Sequence, residues 1–246
     1  MGPERALPAA AGGSLHRFMR AERGVAAIEF AVILPILLVL LLTGIQLVLY
    51  INASRKVGQV ARSISQMISQ VKPPDNSSTA TVSALDLHFG YDATMVIFPY
   101  LLNDAKRQNV AWWRNIAINF ASIAFTKTTG TCSDPADQSN CYVANVVWTS
   151  TGTSQPYGQM YRPCVVPQLP TDNTAAPNPA LLPRSVYGPA SLIVIDVVFK
   201  FTPTFGVGFL PTLTISRSAY VQPRYATLIN YDTTSNDGIA TKCPGY

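Results

Sequence analysis

Apolar residues fall in three regimes along the chain, changing near residue 51 and again near residue 73. Residues 30–51, Phe-Ala-Val-Ile-Leu-Pro-Ile-Leu-Leu-Val-Leu-Leu-Leu-Thr-Gly-Ile-Gln-Leu-Val-Leu-Tyr-Ile, are 22 positions without a charge. At about 1.5 Å of helical rise each they span about 33 Å, enough to cross a hydrocarbon core of about 30 Å. A cleaved signal peptide has a shorter apolar core, about 7–15 residues, followed by small residues at a cleavage site. Neither feature is present, so the run predicts a retained transmembrane helix. Past Tyr50 the apolar positions thin to Val57, Val60, Ala61, Ile64, Met67, Ile68 and Val71, with Arg55, Lys56, Arg62 and Gln66 among them. That three-and-four spacing predicts an amphipathic continuation of the same helix. Lys72-Pro73-Pro74 ends it, because proline lacks the amide hydrogen and disfavours helix in the residue before it. The prediction is one helix over about residues 25–71, bent within the bilayer by Pro35 and Gly44.

After a polar linker, Pro-Pro-Asp-Asn-Ser-Ser at 73–78, periodicity becomes short and mixed. Ser78 or Thr79 is placed to cap a helix ending near His88, and Asp92 to cap another ending near Lys106 with Pro99 inside it. Four strands follow. Residues 115–126 alternate through Ile116, Ile118 and Phe120 and then change phase at Ile123 and Phe125, as a bulge would cause. Residues 141–149, 191–202 and 212–221 are the others, the last two joined by a turn-rich Pro203-to-Pro211 segment that predicts an antiparallel hairpin. Residues 150–189 hold eight of the 19 prolines. A loop that long is either a partner-binding surface or a decoration pinned by Cys164. The polar end, residues 231–246, is expected to follow the surface. The predicted class is α+β, a long N-terminal helix followed by small helices and an antiparallel sheet. Its divisions are a basic leader over 1–24, the helix over 25–72 and a folded domain over 73–246.

Charge refines this picture. The net charge of +5 lies entirely in residues 1–72, where eight Lys and Arg face Glu4, Glu22 and Glu29; residues 73–246 balance ten Lys and Arg against ten Asp. The basicity belongs to the ends of the apolar span and not to the folded domain, which argues against a nucleic-acid partner. Arg17, Arg20 and Arg23 precede the span while Arg55, Lys56 and Arg62 follow it, so the positive-inside rule nearly ties. All four cysteines, Cys132, Cys141, Cys164 and Cys243, fall in the folded domain, which favours an oxidising compartment for it and a cytoplasmic N-terminus. A disulfide between Cys132 and Cys141 would close a short hairpin loop, leaving Cys164 and Cys243 to pair, although four cysteines allow three connectivities. Their spacing lacks the Cys-x2-Cys knuckle of a zinc site, and no metal or cofactor is expected. His88 is the only histidine of the domain, and no strained-nucleophile signature such as Gly-x-Ser-x-Gly accompanies it. It reads as a surface or helix-end residue. Trp112-Trp113 reads as half core and half surface at a strand entrance.

The most informative stretch is Arg23-Gly24-Val25-Ala26-Ala27-Ile28-Glu29-Phe30. Glu29 is the last glutamate in the chain and sits at the edge of an uncharged apolar run. An ionisable group there is costly unless it snorkels to the headgroups or finds a partner charge. Were the chain cut after Gly24, Glu29 would be the fifth residue of the product, one helical turn from a new α-amino group and able to pair with it. A basic leader, a glycine, four residues and then Glu-Phe opening an apolar helix resembles the type IV pilin-like proteins. The longer string Arg-Gly-Val-Ala-Ala-Ile-Glu-Phe-Ala-Val-Ile-Leu-Pro, with Pro35 six residues after Glu29, resembles the TadE-like family, pseudopilins of the tight-adherence (Flp-type) pilus machinery of bacteria. The resemblance covers residues 17–51. It implies processing between Gly24 and Val25 by a prepilin peptidase at the inner membrane. It also implies that Glu29, with Phe30 and Pro35, serves processing or helix packing, and that the partners are membrane lipid, other pilins or pseudopilins and pilus assembly proteins. The alternative is an uncleaved, membrane-tethered periplasmic domain for binding or adhesion.

Overall fold

The computed structural model describes residues 22–128, 132, 134–151, 162–205 and 211–246. The chain divides into two units between Leu49 and Tyr50.

In the first unit, helix α1 (Glu22–Ser69) begins. Its side chains from Ile28 to Leu42 are all exposed. The remainder of α1, from Tyr50, belongs to the second unit. There it buries Ala53, Val57, Val60, Ala61, Ile64 and Ile68, each no more than 3% exposed. Met67, expected on that face, stands at its margin and is 39% exposed. The helix tightens before the prolines: the Gln70 and Val71 amides donate to the Met67 and Ile68 carbonyls at 3.3 Å, a 3-10 ending.

Five antiparallel strands form the main sheet in the order β7-β6-β2-β3-β9. They are β2 (Ile116–Lys127), β3 (Tyr142–Ser150), β6 (Leu192–Phe201), β7 (Leu213–Val221) and β9 (Ala240–Lys242). Two short parallel pairs flank it: β1 (Thr79–Val82) with β8 (Leu228–Tyr231), and β4 (Leu169–Thr171) with β5 (Leu181–Pro183). The small helices are α2 (Ala84–Ile97) and α3 (Tyr100–Gln108). The class is therefore α+β, with the long apolar helix, small helices and an antiparallel sheet as the sequence predicts.

Both faces of the sheet are covered. One face carries Ile116, Ile118 and Phe120 of β2 and Ile193, Ile195, Val197, Phe199 and Phe201 of β6, all buried. It packs against the helices: Phe199 meets Phe98 edge-on at 5.1 Å and Phe201 meets Tyr50 at 5.6 Å. The other face carries Ala121 and Ile123 of β2, Ala144 and Val146 of β3, and Leu192 and Val194 of β6, under Leu182, Tyr187 and Cys243. This second layer is mainly residues 162–189 of the proline-rich segment, laid over the sheet as a strap, with Cys243 beside them.

Several boundaries differ from the sequence reading. The helix expected from Ser78 or Thr79 starts later, because Thr79–Val82 is a β-branched strand paired with β8. Ser83 is the cap instead, in a reciprocal capping box with Asp86. Asp92 lies inside α2, and the break falls at Phe98-Pro99, with Pro99 capping α3. The phase change in β2 is not a bulge of that strand, whose register with β6 is unbroken from Ile116 to Ile123. It marks the switch from the helix-covered to the strap-covered face, and the extra residue is Val147 of β3, skipped between Ser122↔Trp148 and Ile123↔Val146. The end of the chain does not simply follow the surface either: β9 joins the sheet beside β3, and Ile239 and Cys243 are buried.

Candidate functional site

In the first unit, α1 presents an apolar surface that nothing in that unit covers. Phe30 is 63% and Leu40 64% exposed, and Glu29 is exposed among them. An 18-residue window in the helix reaches a mean hydropathy of 2.8 with none of it buried, so α1 is long and apolar enough to cross a membrane. Glu29 is the only charge from Ile28 to Ser54, and among the described residues no ion pair includes it. Pro35 lies within the helix, where its missing amide hydrogen leaves the carbonyl one turn back without its usual donor. Gly44 has no atom within 4 Å of where a Cβ would stand, and Thr43 Oγ1 donates back to the Val39 carbonyl at 2.7 Å. Gly24 and Val25 both fall in the helical backbone near its start. Chemically this surface offers packing with lipid tails or other apolar helices, and one carboxylate.

The second unit holds the polar chemistry. Arg162 is fully buried and meets Asp196 in a two-point pair, Nε–Oδ2 at 2.9 Å and Nη2–Oδ1 at 3.2 Å. Its Nη1 donates to Gln168 Oε1 at 2.5 Å and to the Leu181 carbonyl at 3.0 Å, and Ser218 Oγ donates to Asp196. The sequence analysis did not single out this pair, because an arginine in a proline-rich loop carries no periodic signal. On the helix face Asp104 pairs with Arg107 and accepts from Gln108 Nε2 (2.7 Å) and Asn115 Nδ2 (3.2 Å). Burial raises its carboxyl above the ordinary value in spite of these donors. Burial between strap and sheet likewise pushes the Tyr187 phenol up to about 12.

His88 lies in α2 with Nε2 2.5 Å from Asp237 Oδ2, and this hydrogen bond lowers the Asp237 carboxyl below its ordinary value. The pair is well exposed to solvent on both sides. Trp112 packs against Tyr91, with 5.1 Å between ring centres and the planes tilted by 37°, and is half-buried at the entrance to β2. Cys132 is bonded to Cys141 and Cys164 to Cys243, with Cα–Cα separations of 5.6 and 5.1 Å. Among the described residues no three His, Cys, Asp or Glu side chains gather as metal ligands would. The Gly206-to-Gly208 turn of the hairpin connection lies outside the described residues.

The family model described as TadE-like protein matches residues 24–65, beginning at Gly24 and staying within α1. The motif-based resemblance is thus met by the family model over the same helix. No curated protein and no solved structure matches the chain.

Proposed function

We propose that this chain is a non-enzymatic minor pseudopilin of a tight-adherence pilus system. On this reading it is anchored in the inner membrane by α1, with the N-terminus cytoplasmic and the folded domain periplasmic. A prepilin peptidase cuts between Gly24 and Val25, and Glu29, Phe30 and Pro35 then serve the packing of α1 with helices of other pilins or pseudopilins. The observation that carries the reading is the uncovered apolar surface of α1 with Glu29 as its one charge, in a segment matched by the TadE-like model. A water-facing helix of that composition would be unstable, whereas a bilayer or a bundle of like helices covers it. The folded domain contributes a core that is closed on both faces and two disulfides suited to an oxidising space.

N-terminal sequencing of the protein purified from its own membranes tests processing. The expected product starts at Val25. A chain with all the residues before Gly24 still attached would overturn processing and favour the uncleaved, tethered domain.

A further inference from the structure

The cations that follow the apolar run are gathered by the fold. Arg55 and Lys56 come four and five residues after Ile51, Arg62 lies further along the same helix, and β7 adds Arg217 from the sheet edge. Arg217 donates through Nη2 to Ser54 Oγ at 2.6 Å and through Nη1 to the Ser216 carbonyl at 2.9 Å. Arg62 Nε donates to the Gly58 carbonyl at 3.3 Å, and Lys56 Nζ to Gln59 Oε1 at 3.1 Å. Gly58 is where the two arginines meet. A Cβ there would stand in ordinary van der Waals contact with both, 3.6 Å from Arg62 Nη2 and 3.9 Å from Arg217 Cγ, so the two side chains converge over this one position of the helix. All four cations are exposed, and among the described residues none is ion-paired. The sequence has no acidic residue between Glu29 and Asp75 to compensate them.

Like charges held side by side repel unless an anion lies between them. We propose that Ser54, Arg55, Lys56, Arg62 and Arg217 form a site for the phosphate of an anionic phospholipid headgroup, on the side of the bilayer where the chain leaves the apolar run. Continuity along the chain selects a lipid over an acidic protein. Arg55 follows Ile51 by about 6 Å of helical rise, and the headgroup zone of one leaflet is about 5–8 Å deep. Arginine and lysine side chains reach back along a helix to place their charge in that zone. Two guanidinium groups suit a phosphate because each presents a planar fork of donors. With the N-terminus cytoplasmic, cations on this flank also oppose the positive-inside bias, so headgroup binding gives them a use that orientation does not. The inference rests on residues 30–51 crossing a membrane.

The test is native mass spectrometry of the full chain in detergent with dioleoylphosphatidylglycerol or dioleoylphosphatidylcholine added. Wild type is expected to retain the anionic lipid in preference to the zwitterionic one. Arg62→Gln with Arg217→Gln should weaken that retention by about thirtyfold, from about fivefold for each cation near a membrane surface. Arg55→Gln with Lys56→Gln, on the exposed helix surface, should act similarly without touching the sheet. Arg114→Gln, an exposed cation of the Trp112–Arg114 turn, should change nothing. Equal retention of the two lipids, or undiminished retention in both double variants, overturns the proposal. So do variants that keep the lipid but lose self-association, which would assign the patch to a second copy. Release of the chain from membranes by alkaline carbonate overturns the span itself, an outcome distinct from an integral chain that ignores headgroup charge.

Discussion

Asp196 stands on the strap-covered face of β6, opposite Asn119 of β2 and Ser218 of β7 in register. With Arg162 it forms the one fully buried ion pair among the described residues. Taking both charges out of water is costly, and the forked geometry with further donors and acceptors from Ser218, Gln168 and Leu181 offsets that cost. Removing one partner removes the compensation. Asp196→Ala is expected to destabilise the domain by about 3–5 kcal/mol, a fall in Tm of roughly 6–20 °C at about 2–4 °C per kcal/mol for a unit of this size. The double change Arg162→Met with Asp196→Leu should recover most of it, since no charge then needs solvation. Thermal circular dichroism of the full chain in detergent decides this, and a double variant no better than the single one would refute it. Glu29 is the opposite case, exposed and without an ion pair among the described residues. Glu29→Gln should leave Tm unchanged but reduce pilus counts sharply, because breaking a pair in low dielectric costs about 3–5 kcal/mol while losing a solvated charge costs little. Gln46→Leu in the same helix should matter less. Normal pilus counts from the Glu29→Gln strain would make Glu29 a tolerated boundary residue.

At the scale of elements, what the sequence made legible follows from where the signal lay. The buried positions of α1 beyond Tyr50 are periodic, and the helix appears nearly as drawn. The long strands β2, β3, β6 and β7 announce themselves through β-branched and aromatic runs. The short strands do not: β4, β5 and β9 have three residues each and β1 and β8 four, so each draws its stability from pairing and packing elsewhere in the chain. Trp148 shows how: its Nε1 donates to the Ile229 carbonyl at 2.9 Å and its ring lies 5.7 Å from Tyr231, which ties β8 to the sheet. Gly90 shows a similar limit. A Cβ there would lie 3.3 Å from Ile64 Cγ2, a tight contact that asks Ile64 to give by a few tenths of an ångström, and 3.6 Å from Phe120 Cε1, so glycine suits the close approach of α2 to α1 and β2. Within its own helix Gly90 looks merely unfavourable, because the neighbours that favour it are distant in sequence. Of the candidate site, Gly24, Glu29, Phe30 and Pro35 were visible as a motif. The Arg55–Arg62–Arg217 cluster was half visible, since Arg217 joins it only through β7.

For the molecule as a whole, the two disulfides differ in what they hold. Cys132–Cys141 closes a loop of sequence separation 9 at one hairpin. Cys164–Cys243 spans a separation of 79 and joins the strap to the residue after β9, with Cys243 2% exposed inside the strap-face core. Limiting the unfolded chain is worth more for the longer loop. The chain-entropy relation gives about 4.5 kcal/mol for the long bridge against about 2.7 kcal/mol for the short one. Packing points the same way. Tyr187 donates to the Gln168 carbonyl at 2.7 Å, and the Gln168 amide donates to the Ala144 carbonyl at 2.8 Å. These contacts of the strap with β3 and itself depend on the segment lying flat across the sheet. Replacing Cys164 and Cys243 together by Ala is therefore expected to lower Tm by roughly 9–18 °C, and replacing Cys132 and Cys141 together by roughly 5–11 °C, at about 2–4 °C per kcal/mol. Alanine adds no polar group to the buried site, so the comparison isolates the cross-link. Thermal melts of the full chain in detergent, with each pair replaced in turn, give the ranking directly. If the short bridge proves as costly to lose as the long one, loop closure and the pinned strap do not govern the stability of this domain.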